Sequence, residues 1–379
     1  MTKETLLYCA TDKEIHDALM SAKQKINESI LLELARDRGI FYSVREPRED
    51  LIKKISLLPH DFHDLNLLLE QREHAGRSEK ITSVTLDAAL TVEEIKDVVR
   101  AYTEDSPDDE RVTHYGKGAN QVVVNVKYSD VNYGKTRLVQ RTAKEAGIEF
   151  HVESDKTIIR MPANLRVKGI FEKLKDRIDS NKKTEINAVR IEIGEFKSPA
   201  LRTEFFTTLI STLQGFRPED VTSIKIEKLP KDLQSDELDL EDDQSTEEAR
   251  EEALSFVKNV ALRGSTLLAS EEYQSFVRKG FFITSIIWRS KLVDFPNPII
   301  EFEAAFEEPD IGAGFKYYVR GCYNVVDKHY TKTIRPIDKD AMEKYLTLIE
   351  ETAAATIAEL RKKVSSGVNG ELIEEVSDD

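Results

Sequence analysis

Apolar positions along the chain recur with two different spacings, which predict helices first and strands later. In the first 78 residues, two apolar stripes, within 15–26 and 30–35, follow the three-to-four-residue spacing of amphipathic helices. Further along, Gln121–Tyr128 and Phe281–Trp288 are rich in β-branched and aromatic residues, which is typical of strands. The pattern therefore predicts an α+β protein, with an N-terminal helical module followed by two units of sheet plus helices.

Acidic segments with little apolar character separate these regions and predict the domain boundaries. The predicted organisation is a helical module over 1–78, a helix and acidic linker over 79–111, a basic α+β domain over 112–230, an acidic linker over 231–247, an acidic α+β domain over 248–364 and a disordered tail over 365–379.

Local signals predict individual elements within these regions. Thr91 followed by Glu94 has the spacing of a capping box, which predicts a helix from residue 91 to about residue 102. The other predicted helices are Thr136–Ala146, Leu165–Ile178, Pro199–Gln214, Thr246–Leu262, Ser270–Lys279 and Asp338–Val364. The other predicted strands are Ile148–Val152, Thr157–Met161, Ala188–Ile193, Val221–Ile226, Ile299–Phe306 and Phe315–Arg320, with the C-terminal ones forming an antiparallel meander.

Composition narrows the class of protein. Apolar residues make up 40% of the chain and charged residues 33%, which is typical of a globular rather than a disordered protein. No run approaches the roughly 18–20 apolar residues that a membrane span needs, so we expect no membrane partner. Cys9 and Cys322 are the only cysteines, which excludes a disulfide framework and, with no apolar signal near residue 1, favours a cytoplasmic location.

Charge is distributed unevenly, and the asymmetry indicates a polyanion partner. Residues 111–230 carry a net charge of +7, whereas residues 1–110 carry −9 and residues 231–379 carry −13. Backbone phosphates are the expected partner of such a basic region, although the alternative is pairing with the protein's own carboxylates. The candidate nucleic-acid-binding residues are Lys117, Lys135, Arg137, Arg141, Lys144, Arg160, Arg166, Lys168, Lys173, Lys175 and Arg177.

The helical module contains a short pattern with a known counterpart. The segment Leu31–Ile40 carries an apolar stripe that is followed by Arg38 and Gly39. After a short gap, a second apolar stripe lies within Arg48–Ile55. This arrangement resembles the helix–extended–helix modules of the SAP and Rho-N-terminal-like type over residues 31–55. The resemblance implies contact with DNA or RNA, and of these two partners we expect DNA. The second helix here opens with Val44-Arg-Glu-Pro47 instead of the Gly-x-Lys-type entry of those modules.

Two candidate chemical sites can be drawn from residue spacing. Glu195 and Lys197 follow a predicted strand with the Glu-x-Lys spacing of metal-dependent nucleases, which would need a further carboxylate such as Asp155 or Glu192. His60 and His63 lie beside two aspartates and are candidate metal ligands, although a helix cap explains the same residues. The prediction is that the protein has no catalytic site, no cofactor and no metal, with these residues as alternatives.

The sequence therefore leaves three functional hypotheses. The favoured one is a non-enzymatic nucleic-acid-associated subunit, such as a component of a bacterial anti-phage (antiviral) defence or DNA-processing complex, with a protein partner on the C-terminal unit. The second is a protein–protein adaptor or homo-oligomer without nucleic acid. The third is a metal-dependent nuclease that uses Glu195 and Lys197.

Overall fold

The computed structural model describes residues 10–22, 26–61, 63–65, 79–228, 259–263, 267–294, 296–327 and 329–374. The chain forms two compact units. The first unit comprises residues 1–79, 90–153 and 164–185, and the second comprises residues 80–89, 154–163 and 186–379. Both units combine helices with antiparallel strands, which confirms the predicted α+β class.

The first unit begins with three short helices, α1 (Asp12–Ser21), α2 (Glu28–Arg36) and α3 (Arg48–Ile55). Gly39 follows α2 with a φ of 73°, a left-handed conformation that glycine adopts without steric cost. Pro47 precedes α3 and fixes the extended entry to that helix. The region predicted to be helix–extended–helix therefore has that local structure.

A small hydrophobic core holds the three helices together and extends beyond them. Leu19, Leu31 and Ile52 are fully buried in this core. Leu138 and Val139, which follow the last of the three helices by more than eighty residues, pack into the same cluster. The N-terminal helices therefore provide the packing surface for the segment around residues 138–139.

The remainder of the first unit is a three-stranded antiparallel sheet with helices on one face. The sheet order is β2–β3–β4, and its register is regular throughout. Val122, Val124 and Val126 alternate along β3 and are fully buried on the helix-covered face, as the period of two in a strand requires. The strands are β2 (Glu110–Gly116), β3 (Gln121–Val131) and β4 (Arg141–Val152), and the helices are α4 (Val92–Glu104), α5 (Arg137–Gln140) and α6 (Leu165–Lys182).

Capping side chains fix where the longer helices begin. The Thr91 hydroxyl accepts from the Glu94 backbone N–H at 3.2 Å, and the Glu94 carboxylate accepts from the Thr91 N–H at 2.8 Å. This reciprocal capping box is the one that the sequence predicts for α4. Asn164 caps α6 in a similar way, through its side-chain oxygen and the Val167 N–H.

The predicted helix over Thr136–Ala146 is wrong in its second half. The helix ends at Gln140, and Arg141 begins a twelve-residue strand, β4. Ala146, Ile148 and Phe150 alternate into the core, and β4 pairs with β3 along its whole length. Tertiary pairing with the neighbouring strand therefore overrides the local helical signal.

The second unit is built on a larger antiparallel sheet, in the order β5–β1–β11–β10–β9–β7–β8, with β6 also paired to β1. The predicted meander is confirmed, since β9, β10 and β11 pair consecutively. The strands are β1 (Ile81–Leu86), β5 (Thr157–Pro162), β6 (Ala188–Arg190), β7 (Phe216–Lys228), β8 (Asn259–Arg263), β9 (Phe281–Leu292), β10 (Ile299–Glu308) and β11 (Ala313–Tyr323), with a separate two-stranded pair β12 (Val325–Val326) and β13 (His329–Tyr330).

Helices cover the core of the second unit, which is rich in aromatic side chains. Trp288 is fully buried and stacks on Phe302 with a centroid separation of 5.3 Å. Phe205 on a neighbouring helix packs against both Phe306 and Phe315. Among the described residues of this unit, the helices are α7 (Pro199–Ser211), α8 (Glu271–Arg278) and α9 (Lys339–Glu374), with a 3₁₀ turn at Leu267–Ala269.

The two compact units group the chain differently from the predicted domains. Residues 80–89 and 154–163 belong to the second unit because β1 and β5 pair there, so the predicted basic domain over 112–230 is divided between the units. The strand β1 was not predicted. The helix predicted over 246–262 is replaced at its end by β8, and α9 continues past the predicted end at Val364. The predicted acidic linker over 231–247 and residues 375–379 lie outside the described residues.

Candidate nucleic-acid interface

Three of the predicted nucleic-acid-binding residues lie on α6 and contact carboxylates of their own unit. Arg166 bonds Asp109 at 2.9 Å and Glu110 at 2.6 Å. Arg177 bonds Asp105 at 2.8 Å, and Lys175 bonds Asp179 at 2.6 Å. Burial opposes the charge of Arg166, but the carboxylates of Glu110 and Asp109 raise its pKa. These cations therefore already have anionic partners within the protein.

These ion pairs attach the segment between α4 and β2 to α6. The Tyr102 hydroxyl donates to the buried Glu110 carboxylate at 2.7 Å, and the Arg177 guanidinium lies 5.9 Å from the Tyr102 ring centroid. Burial and the hydrogen bond to Glu110 raise the pKa of Tyr102, which keeps the hydroxyl protonated as a donor. The segment predicted to be a linker is thus an ordered, tightly paired turn that leads into β2.

Lys173 lies at a shallow groove beside these pairs. The groove has a volume of about 380 Å³ and is lined by Tyr102, Asp105, Lys173, Asp176, Arg177 and Ser180. Two carboxylates face two cations there, so the groove presents no net excess of positive charge. Lys168 is half-buried on the same helix. The α6 residues therefore form a mixed-charge surface, not a continuous basic one.

Two further predicted residues belong to the three-stranded sheet of the first unit: Lys144 lies on β4, and Lys117 directly follows β2. Lys144 contacts Asp130 at 2.6 Å and Glu79 at 3.4 Å, and the hydrogen bond with Asp130 raises its pKa. Lys117 is exposed in the tight turn between β2 and β3, where Gly118 has a φ of 79°. The glycine-rich segment at this turn is therefore a hairpin connection.

The assignment of Arg160 to a nucleic-acid surface is wrong, because its side chain is buried inside the second unit. Arg160 is 4% exposed, and its guanidinium binds both carboxylate oxygens of Glu350, at 2.8 and 2.9 Å. The Tyr317 hydroxyl donates to the same carboxylate, and burial together with Glu350 raises the pKa of that tyrosine. A phosphate on the surface cannot reach a guanidinium that is enclosed in this way.

Lys135 and Arg141 have a different environment, in the connection between β3 and β4. We name residues 132–140 the tyrosine loop. The Asn132 N–H donates to the Gln140 carbonyl at 2.8 Å and closes the loop, directly beside the β-ladder pair formed by Val131 and Arg141. Within the loop, the Lys135 N–H donates to the Asn132 carbonyl at 3.1 Å. Backbone hydrogen bonds therefore fix the shape of the loop.

The Asn132 side chain tightens the tip of this loop. Its Oδ1 accepts from the Gly134 N–H at 3.0 Å, which is the hydrogen bond of an Asx turn. The residue between them, Tyr133, is 84% exposed, as much as any large hydrophobic side chain in the described residues. A single exposed ring is common on protein surfaces, so the role of Tyr133 depends on the charges beside it.

Arg137 supports the tyrosine loop. Its Nε donates to the Glu14 carboxylate of α1 at 3.1 Å, and the next two residues, Leu138 and Val139, fill the core of the N-terminal helices. Burial opposes ionisation of Glu14, but hydrogen bonds from Thr11 and Arg137 hold the pKa of this carboxyl below its ordinary value. The N-terminal helices thus anchor the base of the loop, and its tip projects from that base.

The resulting surface consists of Tyr133, Lys135 and Arg141, and we name it the tyrosine-loop surface. Lys135 and Arg141 are exposed, and neither contacts a carboxylate among the residues that the structure describes. The nearest acid along β3, Asp130, is paired with Lys144. Both cations are predicted from the sequence, whereas Tyr133 is not. The Asn-x-Gly turn around it, between two strands, was the available signal.

The two nuclease candidates are engaged in local contacts within the second unit. The Glu195 carboxylate accepts from Arg361 Nε at 2.7 Å, and Lys197 Nζ donates to the Gly194 carbonyl at 2.8 Å. In the described part of the chain, no three His, Cys, Asp or Glu side chains come together as metal ligands would. The geometry therefore gives this pair structural contacts and no assembled carboxylate cluster.

The histidines proposed as metal ligands lie just after α3. The ring nitrogens of His60 lie 2.9 Å from the Ile55 carbonyl and 3.2 Å from Arg38, and Arg38 also binds Asp64. Asp61 accepts from the Asp64 N–H at 2.8 Å, so it acts as a helix cap. His63 is exposed. The contacts of His60 and Asp61 therefore stabilise the turn that follows α3.

Comparison with known proteins adds no family to these observations. No family model matches the chain, and no curated protein matches its sequence. Among the helices of the described ranges, none has the length and apolar content to cross a bilayer.

Proposed function

We propose that this protein binds nucleic acid through the tyrosine-loop surface. The observation that carries the proposal is the exposed Tyr133 ring on an ordered turn, flanked by Lys135 and Arg141, whose charges contact no carboxylate in the described residues. Aromatic rings stack on bases, while neighbouring cations bind the backbone phosphates. The three side chains combine these two requirements on one surface.

The framework of the loop supports this role. Recognition residues bind more tightly when the unbound protein already holds them in place, because less conformational entropy is lost on binding. Backbone hydrogen bonds close the loop, and Leu138 and Val139 anchor it in a hydrophobic core. The N-terminal helices, including the part that resembles SAP-type modules, thus contribute by supporting the loop.

The chemistry of the surface favours nucleic acid with unpaired bases. A base that is already paired and stacked does not offer its face to a side chain, so a tyrosine at a loop tip selects single-stranded segments. We expect single-stranded DNA to bind more tightly than the duplex. A cytoplasmic location, which the low cysteine content favours, would give access to such DNA.

Fluorescence anisotropy with labelled single-stranded and double-stranded DNA and RNA tests this proposal. If Lys135 and Arg141 each neutralise one phosphate, the affinity for single strands falls about sevenfold between roughly 50 and 200 mM salt. Tyr133→Ala should weaken binding by roughly fivefold to a hundredfold, since stacking on one base contributes about 1–3 kcal/mol.

Tyr133→Phe is the matched control, because it retains the ring and removes only the hydroxyl. Circular dichroism and thermal melting of both variants show whether the fold is retained. Retained binding by the phenylalanine variant and weakened binding by the alanine variant support the proposal. Equal affinity of the wild type and the alanine variant, or no binding at low salt, contradicts it.

A further inference from the structure

The strand β2 is an open edge of the sheet in the first unit. It pairs with β3 on one side and is the terminal strand on the other. Its register contains no bulge, and its residues Glu110–Gly116 include no proline. Proteins commonly block exposed edges with bulges, prolines or a covering element, because a free edge pairs readily with another strand. The edge of β2 therefore has neither a bulge nor a proline to block it.

The alternation of antiparallel hydrogen bonds identifies which backbone groups face outward. The Lys117 N–H donates to the Gln121 carbonyl at 2.9 Å, so every second residue before it also bonds to β3. Val112, His114 and Gly116 therefore direct their N–H and C=O groups away from the sheet. The Glu110 N–H fits this alternation, since it bonds the Pro107 carbonyl on the outer side at 2.9 Å.

These outward groups have no hydrogen-bond partner in the described ranges of the chain. The side chains of the alternate residues, Arg111, Thr113 and Tyr115, lie on the exposed face of the strand, and Tyr115 is 52% exposed. The edge thus offers both a backbone ladder and a set of exposed side chains.

We infer that β2 pairs antiparallel with β2 of a second copy of this chain, in a two-fold register centred on Thr113. In this register the Val112 N–H donates to the partner's His114 carbonyl, and the His114 N–H donates to the partner's Val112 carbonyl. The Gly116 N–H reaches the partner's Glu110 carbonyl. All these groups are among those that β3 leaves free.

Side-chain complementarity selects this register and this occupant. Centring on Thr113 places Arg111 opposite the partner's Tyr115, so that each guanidinium meets an aromatic ring across a closely spaced pair. A register centred on His114 would instead place Arg111 opposite the partner's Lys117, and like charges directly opposite destabilise a ladder. A register centred on Val112 would leave Tyr115 beyond the end of the partner strand.

Substitution of His114 tests the pairing, because its N–H bonds no group in the part of the chain that the structure describes. Proline is tolerated on an edge strand where the missing N–H faces solvent, so His114→Pro should leave the fold intact. It removes one hydrogen bond from each copy and should weaken dimerisation by about a hundredfold. His114→Ala removes the same side chain but keeps the donor, and should leave dimerisation within about threefold of the wild type.

Sedimentation equilibrium of the full chain over a range of concentrations measures these constants. A dimer that His114→Pro dissociates and His114→Ala retains supports the inference. A wild type that stays monomeric up to about 100 µM, or a dimer that the proline variant retains, overturns it. Loss of the dimer in both variants also overturns the inference, because the imidazole side chain and not the backbone N–H would then make the contact.

A disulfide trap tests the register independently of any loss of stability. In a Cys9→Ser, Cys322→Ala background, Thr113→Cys places two thiols opposite each other at a Cα separation of about 4.5 Å, within the range for a disulfide. Lys127→Cys is the control, because it lies on the same face but one strand further inside each copy. A covalent dimer of the Thr113→Cys variant alone supports the register. No covalent dimer, or equal cross-linking of the control, overturns it.

Discussion

The tyrosine loop and the helix α6 are both basic in sequence, yet the structure uses their charges differently. On α6, Arg166, Lys175 and Arg177 bond to carboxylates of the same unit. On the tyrosine-loop surface, Lys135 and Arg141 have no such partner among the described residues. Net charge along a sequence therefore identifies a region that contains cations. Whether a phosphate can bind one of these cations depends on whether that cation is already paired with a carboxylate.

The difference follows from what lies beside each element. The acidic turn between α4 and β2 supplies Asp105, Asp109 and Glu110 to α6, and the cations of the helix hold that turn in place. Beside the tyrosine loop, the carboxylates Glu14 and Asp130 are taken by Arg137 and Lys144. Two cations and an aromatic ring are left facing solvent. We predict that α6 contributes to stability and the loop contributes to binding.

The largest effect is expected from Arg160, a cation that contributes to stability alone. Arg160→Ala leaves the Glu350 carboxylate buried without its charged partner, which should lower the free energy of unfolding by about 3–5 kcal/mol. The affinity of the remaining folded protein for DNA should not change. Urea denaturation followed by circular dichroism measures the first quantity, and anisotropy on folded material measures the second.

Arg100→Ala is the control for this substitution, since its ion pair with Asp97 lies at the surface of the first unit. It should cost about 1 kcal/mol or less, because exposed pairs contribute little in water. If both substitutions destabilise the protein equally, burial does not distinguish the two arginines. Reduced DNA affinity of folded Arg160→Ala would contradict its assignment to the interior.

A smaller effect is expected from Glu14, which anchors the tyrosine loop to α1. Its folded pKa lies below the ordinary value of 4.5, so its ionised form stabilises the fold above that pH. This contribution is lost as the pH falls through the lower, folded pKa. Glu14→Gln should cost about 1 kcal/mol at pH 7 and make stability less dependent on pH below about 5. Denaturation at several pH values checks this, and an unchanged pH profile would contradict it.

The smallest effect is expected from Arg177 on α6. Arg177→Ala removes a surface ion pair with Asp105 and a contact with the Tyr102 ring, which together should contribute less than about 1 kcal/mol to stability. DNA affinity should stay within about threefold of the wild type. A tenfold loss of affinity in this variant would move the interface from the loop to the helix.

Much of the fold is predictable from the sequence, because its local signals are strong. The capping box at Thr91 and Glu94 marks the start of α4, and the alternating apolar runs mark the meander of β9, β10 and β11. The first half of β4, up to Ala146, was mistaken for a helix because its pairing with β3 is a tertiary interaction. The strand β1 was missed because its six residues, Ile81–Leu86, include three hydroxyl side chains and give a weak pattern.

The candidate site was predictable only in part, because ion pairs join residues that are distant in sequence. Arg137 meets Glu14 across 123 positions, and Arg160 meets Glu350 across 190. No local pattern shows which cations are neutralised in this way. The sequence therefore identified basic residues by type alone, and it included Arg160 because burial of a charge cannot be read from composition.

The most direct test of the account compares two double charge reversals by anisotropy with single-stranded DNA. One carries Lys135→Glu and Arg141→Glu, and the other carries Arg177→Glu and Lys182→Glu, whose wild-type side chains bond Asp105 and Glu94. Both change the formal net charge equally, so any difference reports position. We predict at least tenfold weaker binding and a shallower salt dependence for the loop variant, and a change within about threefold for the helix variant. Equal losses, or a larger loss in the helix variant, would contradict the account.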